Sequence, residues 1–142
     1  MKAEKPLKYI QNYQPIKNMP MIANLIDSQL TDAKEQYTTL LEARNKPHVL
    51  TDSIVQRTIK VYIEQLDFTQ VFEKQLLKWE KEEYLIPILQ TELCRLQAQV
   101  KHSYKILKDI IALAEELKMG TIEKAMEKSD LEIGIESLKK YF

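Results

Sequence analysis

Glycine is scarce in this chain, which contains 2 glycines among its 142 residues. A β-rich fold of this size needs many tight turns, and these are commonly built on Asn-Gly or Asp-Gly pairs. Neither pair occurs in the sequence. Two glycines are also too few for the glycine-rich loop that cradles phosphates in nucleotide-binding proteins. The scarcity of glycine therefore argues against a β-rich fold and against a nucleotide loop.

An excess of one charge is absent as well, because 21 Lys and Arg residues balance 21 Asp and Glu residues. Proteins that bind nucleic acid usually carry a basic excess that neutralises phosphates. Lys101, Lys105 and Lys108 form only a small basic strip in the third predicted helix. The charge balance therefore disfavours a nucleic-acid partner.

Cysteine and long apolar runs are also lacking. The single cysteine, Cys94, cannot form a disulfide within the chain. No stretch approaches the roughly 20 consecutive apolar residues of a membrane span. The first residues lead into polar sequence without the apolar core of a signal peptide. We therefore expect a cytoplasmic protein with no membrane span.

Apolar residues are plentiful at 44% of the chain, and they recur at spacings of three and four. This periodicity is typical of amphipathic helices. It predicts an all-α fold, an antiparallel bundle of three long amphipathic helices at about 20–45, 51–84 and 87–118. Two short C-terminal helices, at about 121–128 and 130–140, are expected to follow.

The apolar positions of each long helix define the face expected to pack in the core. In the first helix they are Ile22, Ile26, Leu30, Ala33, Tyr37 and Leu40. In the second they are Val55, Ile59, Tyr62, Leu66, Phe68, Phe72, Leu76 and Trp79. In the third they are Leu89, Leu93, Leu96, Val100, Tyr104, Leu107, Ile111 and Ala114.

The boundaries of the helices also follow from residue types. Pro20 and Pro87 suit the first turn of a helix, where the missing N–H has no partner to lose. Thr51 or Asp52 can cap the second helix by accepting from the free N–H groups of its first turn. Gly120 is expected to close the third helix in a left-handed conformation.

Three parts of the chain are expected to differ in organisation. Residues 1–19 should form an extended N-terminal arm, residues 20–119 the three-helix bundle, and residues 120–142 a helical pair packed on the bundle or on a partner. Pro6 and Pro15 oppose helix formation within the arm, and Pro20 follows directly after it.

Signatures of catalysis, of cofactor binding and of metal binding are missing. His48 and His102 lack the Glu three residues earlier that inward-facing metal sites of helical bundles use. Cys94 lies in a helix interior, where we expect a packed or half-buried, inert thiol. The carboxylate pairs alternate with lysines, as on solvated helix faces. We therefore predict no catalytic, cofactor-binding or metal-binding residue.

Two features are candidates for binding a partner. Trp79, at the end of the second helix, can pack in the core or anchor another protein. The last helix has one wholly apolar face, which the bundle or a partner must cover. This face consists of Leu131, Ile135, Leu138 and Phe142.

These observations favour a non-enzymatic protein–protein interaction module, an adaptor or regulator that acts through helix surfaces. Its partner would be another protein or a second copy of the chain. One alternative is a small enzyme or ligand carrier with a pocket between the helices. A further alternative is a structural protein that self-associates like a coiled coil.

Overall fold

The computed structural model describes residues 12–46 and 50–121, and all regular elements among these residues are helical. Helix α1 spans Met19–Arg44, α2 spans Asp52–Glu82 and α3 spans Pro87–Leu117. The predicted all-α bundle of three long helices is confirmed, with each boundary within two residues of its expected place. The two expected C-terminal helices lie outside the described residues, as does the first part of the N-terminal arm.

The sequence signals for the helix starts operate as expected. Pro20 and Pro87 occupy the first turns of α1 and α3. At the start of α2, the hydroxyl of Thr51 accepts a hydrogen bond of 3.1 Å from the backbone N–H of Ile54. This bond satisfies one of the four N–H groups that a helix leaves without an internal partner.

The end of α3 differs from the prediction for Gly120. No glycine among the described residues has a positive φ, so the expected left-handed closure is wrong. Instead α3 tightens into a 3-10 turn over Lys118–Gly120, and the chain then leaves through extended backbone at Thr121. The buried Thr121 hydroxyl donates a hydrogen bond to the carboxylate of Asp52. A side-chain contact with the start of α2 thus redirects the chain where we expected a glycine turn.

Helix α3 lies at the centre of the bundle and packs closely against both other helices, while α1 and α2 lie farther apart. An ion pair joins Arg44 to Glu116, and another joins Asp27 to Arg95, so α1 and α3 run in the same direction. Asp52 is the first residue of α2, and Thr121 follows the end of α3. Their contact therefore shows that α2 is antiparallel to α3. The direction of the chain therefore alternates from helix to helix.

The apolar faces of the helices meet in two clusters, one at each end of the bundle. The cluster near the α2–α3 turn includes Ile22, Ile26, Phe72, Leu76, Trp79, Leu93, Leu96 and Val100. The cluster at the other end includes Ala33, Leu40, Leu107, Ile110, Leu113 and Leu117. The predicted core face of α1 is buried except for the half-buried Tyr37. Within α2, Leu66 is only half-buried and Phe68 is exposed. The reason is that α2 packs closely against α3 but lies farther from α1.

Polar side chains connect α1 and α2 across the wider gap between them. The Gln29 side-chain N–H donates to the Gln65 side-chain oxygen over 2.8 Å. The buried hydroxyl of Thr69 donates to the Gln65 backbone carbonyl and lies 3.3 Å from the Gln29 side-chain oxygen. This amide bridge joins two helices whose backbones lie farther from each other than either lies from α3.

Ser103 of α3 gives the first testable prediction. Its side chain is fully buried, and its hydroxyl oxygen has no hydrogen-bond partner among the described residues. A buried hydroxyl without a partner costs about 1–3 kcal/mol, and alanine is also the better helix former. We expect Ser103→Ala to raise the free energy of unfolding in urea denaturation. A clear loss of stability would mean that the hydroxyl has a partner.

None of the described helices combines enough length with enough apolar character to cross a membrane.

Candidate interaction surface at the α2–α3 turn

A short turn between α2 and α3 carries an alternating set of apolar side chains. Glu83 and Ile86, at its two ends, have extended backbone, with φ/ψ of −109°/138° and −66°/156°. In extended backbone, successive side chains point to opposite sides. Leu85 therefore reaches into the core cluster beside Trp79, while Tyr84 and Ile86 point outward.

The outward side chains form an exposed apolar surface at the tip of the bundle. Tyr84 is 96% exposed, Ile86 is 55% exposed and Ile88, in the first turn of α3, is 72% exposed. We call these three residues the tip patch. Isolated exposed apolar residues are common, but several on one short turn are typical of a contact site.

Sequence reasoning missed the tip patch, although the sequence carries a signal for it. Residues 84–88 read Tyr-Leu-Ile-Pro-Ile between two helices, where a connecting segment is normally polar. Only one side of this segment can face the core, so part of the run must face outward. The apolar character of a loop is thus the feature that points to the site.

A groove between α2 and α3 lies directly beneath the turn. Its volume is about 310 Å³, and it is lined by Glu80, Glu83, Leu85, Gln90, Leu93, Cys94 and Gln97. The Gln97 side-chain N–H donates to the Glu80 carboxylate. The groove therefore presents acidic groups next to the tip patch.

Cys94 is exposed in this groove, so the prediction of a packed or half-buried thiol is wrong. The reason is the helical rotation of about 100° per residue. Leu93 and Leu96 point into the core, and Cys94, which follows Leu93, is turned away from it. The only thiol of the chain is therefore accessible beside the tip patch.

A second groove, between the start of α1 and the start of α3, lies on the other flank of the turn. It has a volume of about 540 Å³, with apolar contributions from Ile16 and Leu89. Its rim holds Arg95, which binds the Asp27 carboxylate through two hydrogen bonds of 3.0 and 2.9 Å. Hydrogen bonding to the Arg95 guanidinium holds the pKa of Asp27 below its usual value. The pair is partly exposed, and such pairs contribute at most about 1 kcal/mol.

The N-terminal arm is attached to α2 near the turn by three hydrogen bonds to one residue. The backbone N–H of Gln14 donates to the Gln75 side-chain oxygen, and the Gln75 side-chain N–H donates to the Gln14 carbonyl. The indole N–H of Trp79 donates to the same carbonyl over 2.9 Å. Tyr13 lies 4.8 Å from the Lys78 ammonium, measured to the ring centre. The side-chain amide of the buried Gln75 thus pairs with both the N–H and the C=O of Gln14, as the backbone of an adjacent β-strand would.

The structure places Trp79 inside the core, at 2% exposure, with its indole N–H bonded within the chain. Core packing, one of the two roles considered for it, is therefore its observed role, and no indole surface is left for an anchor. The other candidate partner-binding residues lie outside the described residues. They are Leu131, Ile135, Leu138 and Phe142.

The basic strip of α3 does not form a uniformly positive surface. The adjoining groove is lined by Gln70, Glu73, Lys74, Lys101, Tyr104 and Lys108. Burial, together with the nearby carboxylate of Glu73, raises the pKa of Tyr104 to about 12. Lys105 is paired with Asp109 at 3.1 Å. Carboxylates interleaved with the lysines make this face a poor match for a row of phosphates.

The described interior offers no charged groups for chemistry. Its fully buried polar side chains are all uncharged, namely Thr69, Gln75, Ser103 and Thr121. Among the same residues, no group of three or more His, Cys, Asp or Glu side chains is arranged to hold a metal ion. Comparison of the chain with protein families, curated proteins and solved structures found no significant match.

Proposed function

We propose that this protein is a non-enzymatic interaction module that binds another protein in the cytoplasm through the tip patch. The observation that carries this proposal is the exposure of Tyr84, which is 96% accessible on a turn fixed at both ends. Tyrosine is enriched among residues that dominate binding energy, because it combines a large apolar body with a polar tip.

The turn supports binding because it is held rigidly before any partner arrives. Leu85 is buried beside Trp79, and Pro87 restricts the preceding Ile86 to extended backbone. A side chain presented on a fixed backbone loses less conformational entropy on binding than one on a mobile loop. The exposed tyrosine can therefore contribute most of its contact energy to affinity.

The chemistry of the surface indicates the kind of partner. An apolar pocket is needed to receive Tyr84 and Ile88. The acidic groove beneath the turn, with Glu80 and Glu83, favours basic side chains beside that pocket. We infer a partner protein that presents an apolar pocket with Lys or Arg on its rim.

Photo-crosslinking from Cys94 tests this proposal. A benzophenone attached to the accessible thiol would lie beside the tip patch. In an extract of the cells that produce the protein, we expect a discrete adduct with one other protein. The matched control is Cys94→Ser with Lys60→Cys, which moves the same label to an exposed position in the first third of α2, far from the turn.

The outcomes separate the proposal from its alternatives. An adduct formed from Cys94 and not from position 60 supports binding at the tip. Equal labelling from both positions contradicts it. An adduct with twice the mass of the chain would favour self-association instead. Retention of a small molecule, detected by native mass spectrometry without any protein adduct, would favour a ligand carrier.

A further inference from the structure

Three grooves join into one along the face between α2 and α3. The groove beneath the turn shares Glu80 and Gln97 with a middle groove of about 310 Å³. The middle groove in turn shares Glu73 and Lys101 with the groove beside the basic strip. A single continuous groove therefore runs from the tip of the bundle to Lys108, and we call it the α2–α3 groove.

The α2–α3 groove is long enough to hold several turns of a helix. Along α3 it extends from Gln90 to Lys108, a rise of about 27 Å. The exposed Leu77 and the half-buried Tyr104 supply apolar surface on either side of the buried Val100. An apolar groove between two packed helices is a surface that commonly receives a further amphipathic helix.

The charge of the α2–α3 groove changes sign along its length. At the tip the charged residues of its lining are both acidic, Glu80 and Glu83. At the far end Glu73 is outnumbered by three lysines, Lys74, Lys101 and Lys108. All six side chains are exposed, and none of them belongs to an ion pair among the described residues. The groove thus has an acidic end and a basic end whose charges a ligand of opposite pattern can neutralise.

We propose that the α2–α3 groove binds an amphipathic helix of the partner protein, with basic residues toward the tip and acidic residues toward Lys101 and Lys108. This inference rests on the proposed function, because the helix belongs to the same partner that binds the tip patch. The Lys or Arg side chains inferred beside the apolar pocket of the partner then lie at one end of this helix, next to Glu80 and Glu83.

The helix dipole selects one direction for the bound helix. The N-terminal end of a helix carries a partial positive charge, and the C-terminal end carries a partial negative charge. The positive end is stabilised beside Glu80 and Glu83, and the negative end is stabilised beside the lysines. Because α3 begins at the tip, the bound helix runs parallel to α3 and antiparallel to α2.

A separate protein suits the groove better than a second copy of the chain. The described helices of this protein already pack their main apolar faces against one another in the two core clusters. A second copy would have to give up this packing before one of these helices could enter the groove. The occupant is therefore a helix of another protein.

Photo-crosslinking from both ends of the α2–α3 groove tests the proposal. A benzophenone on the native Cys94 probes the tip end, and in Cys94→Ser with Gln70→Cys the same label probes the far end. The matched control is Cys94→Ser with His102→Cys, because His102 is exposed next to Lys101 but does not line the groove. After reaction in an extract of the producing cells, tandem mass spectrometry of the digested adducts identifies the partner residues linked from each position.

We expect both groove positions, and not the control position, to link to one segment of the same partner. Cys94 and Tyr104, which lines the groove together with Gln70, are separated by about 15 Å along α3. The linked residues of the partner should therefore be about ten positions apart in a helix, with the residue linked from Cys94 nearer the N-terminus. The segment should be amphipathic, with basic residues first and acidic residues last.

Charge reversal at the far end tests the complementarity. Lys101→Glu with Lys108→Glu places carboxylates opposite the acidic part of the proposed helix, so the adduct yield from Gln70→Cys should fall at least about tenfold at limiting concentration. Lys60→Glu with Lys105→Glu is the control, because it changes the net charge equally at exposed lysines outside the groove lining. Its yield should stay within about twofold of the original. Equal yields from the two charge variants would overturn the proposal.

Failure of this proposal is distinguishable from failure of the proposed function. An adduct from Cys94 without one from Gln70→Cys leaves binding at the tip in place and overturns the helix in the groove. Absence of an adduct from Cys94 contradicts binding at the tip itself. An adduct from Gln70→Cys with twice the mass of the chain, or a crosslink within one chain, would identify a different occupant and also overturn the proposal. So would equal labelling from the His102→Cys control.

Discussion

Replacing Leu96 by alanine is expected to lower the free energy of unfolding by about 2–5 kcal/mol. Leu96 is 0% exposed and belongs to the cluster that joins all three helices near the α2–α3 turn. The change removes buried apolar contacts and leaves a cavity that rigid helices refill only in part. Urea denaturation followed by circular dichroism and by Trp79 fluorescence measures the loss. Coincident curves from the two probes would establish a two-state transition.

Leu77→Ala is the matched control, because Leu77 is the same residue type on an exposed side of α2. Removing a side chain that water already reaches forfeits less burial and leaves no closed cavity. We expect a loss less than about half of that for Leu96→Ala. Equal losses for the two variants would contradict the packing of α3 at the centre of the bundle.

Replacing Trp79 by alanine is expected to cost about 3–5 kcal/mol, the second large effect. The indole is buried where the arm, α2 and the turn meet, and it contacts the cluster that includes Leu85. Its loss should loosen the arm as well as the core, because its N–H is one of the donors that hold Gln14. Chemical denaturation gives the free energy, and proteolysis at Lys17 reports release of the arm.

Trp79→Phe separates the two contributions. Phenylalanine retains much of the apolar body but cannot donate to the Gln14 carbonyl, which still accepts from Gln75. A hydrogen bond contributes about 1 kcal/mol net, so this variant should lose clearly less than Trp79→Ala. Equal and small losses from both would mean that the indole does not pack as the structure indicates.

The helices could be predicted from the sequence because their signals are local. The spacing of Ile22, Ile26 and Leu30 defines one face of α1 without knowledge of the partner helix. Thr51 and Pro87 identify helix starts for reasons that lie within one turn of each residue. Such features need only the geometry of a single helix.

Features that depend on two distant segments could not be predicted in this way. The amide of Gln75 holds the backbone of Gln14, which is 61 positions earlier in the chain. Likewise, the direction of the chain at Gly120 is determined by the contact of Thr121 with Asp52. Nothing in the local sequence of either residue identifies its partner.

The tip patch could be predicted from the sequence only in part. Its apolar run is visible in the sequence, but which side chains face outward depends on the burial of Leu85 and on the extended turn. The expectation for Trp79 depended on the same packing. A tryptophan at the end of a helix is equally consistent with a core residue and with an exposed anchor until its neighbours are known.

The double variant Tyr84→Ser with Ile88→Ser tests the central claim, that the tip patch binds a partner, most directly. Both side chains are largely exposed, so the free energy of unfolding should stay within about 0.5 kcal/mol of the original. Loss of residues that dominate an interface costs about 2 kcal/mol or more in binding, roughly a thirtyfold loss of affinity. We therefore predict that the photo-adduct formed from Cys94 disappears while the protein remains folded. An adduct that persists at its original yield in the stable double variant would contradict the claim.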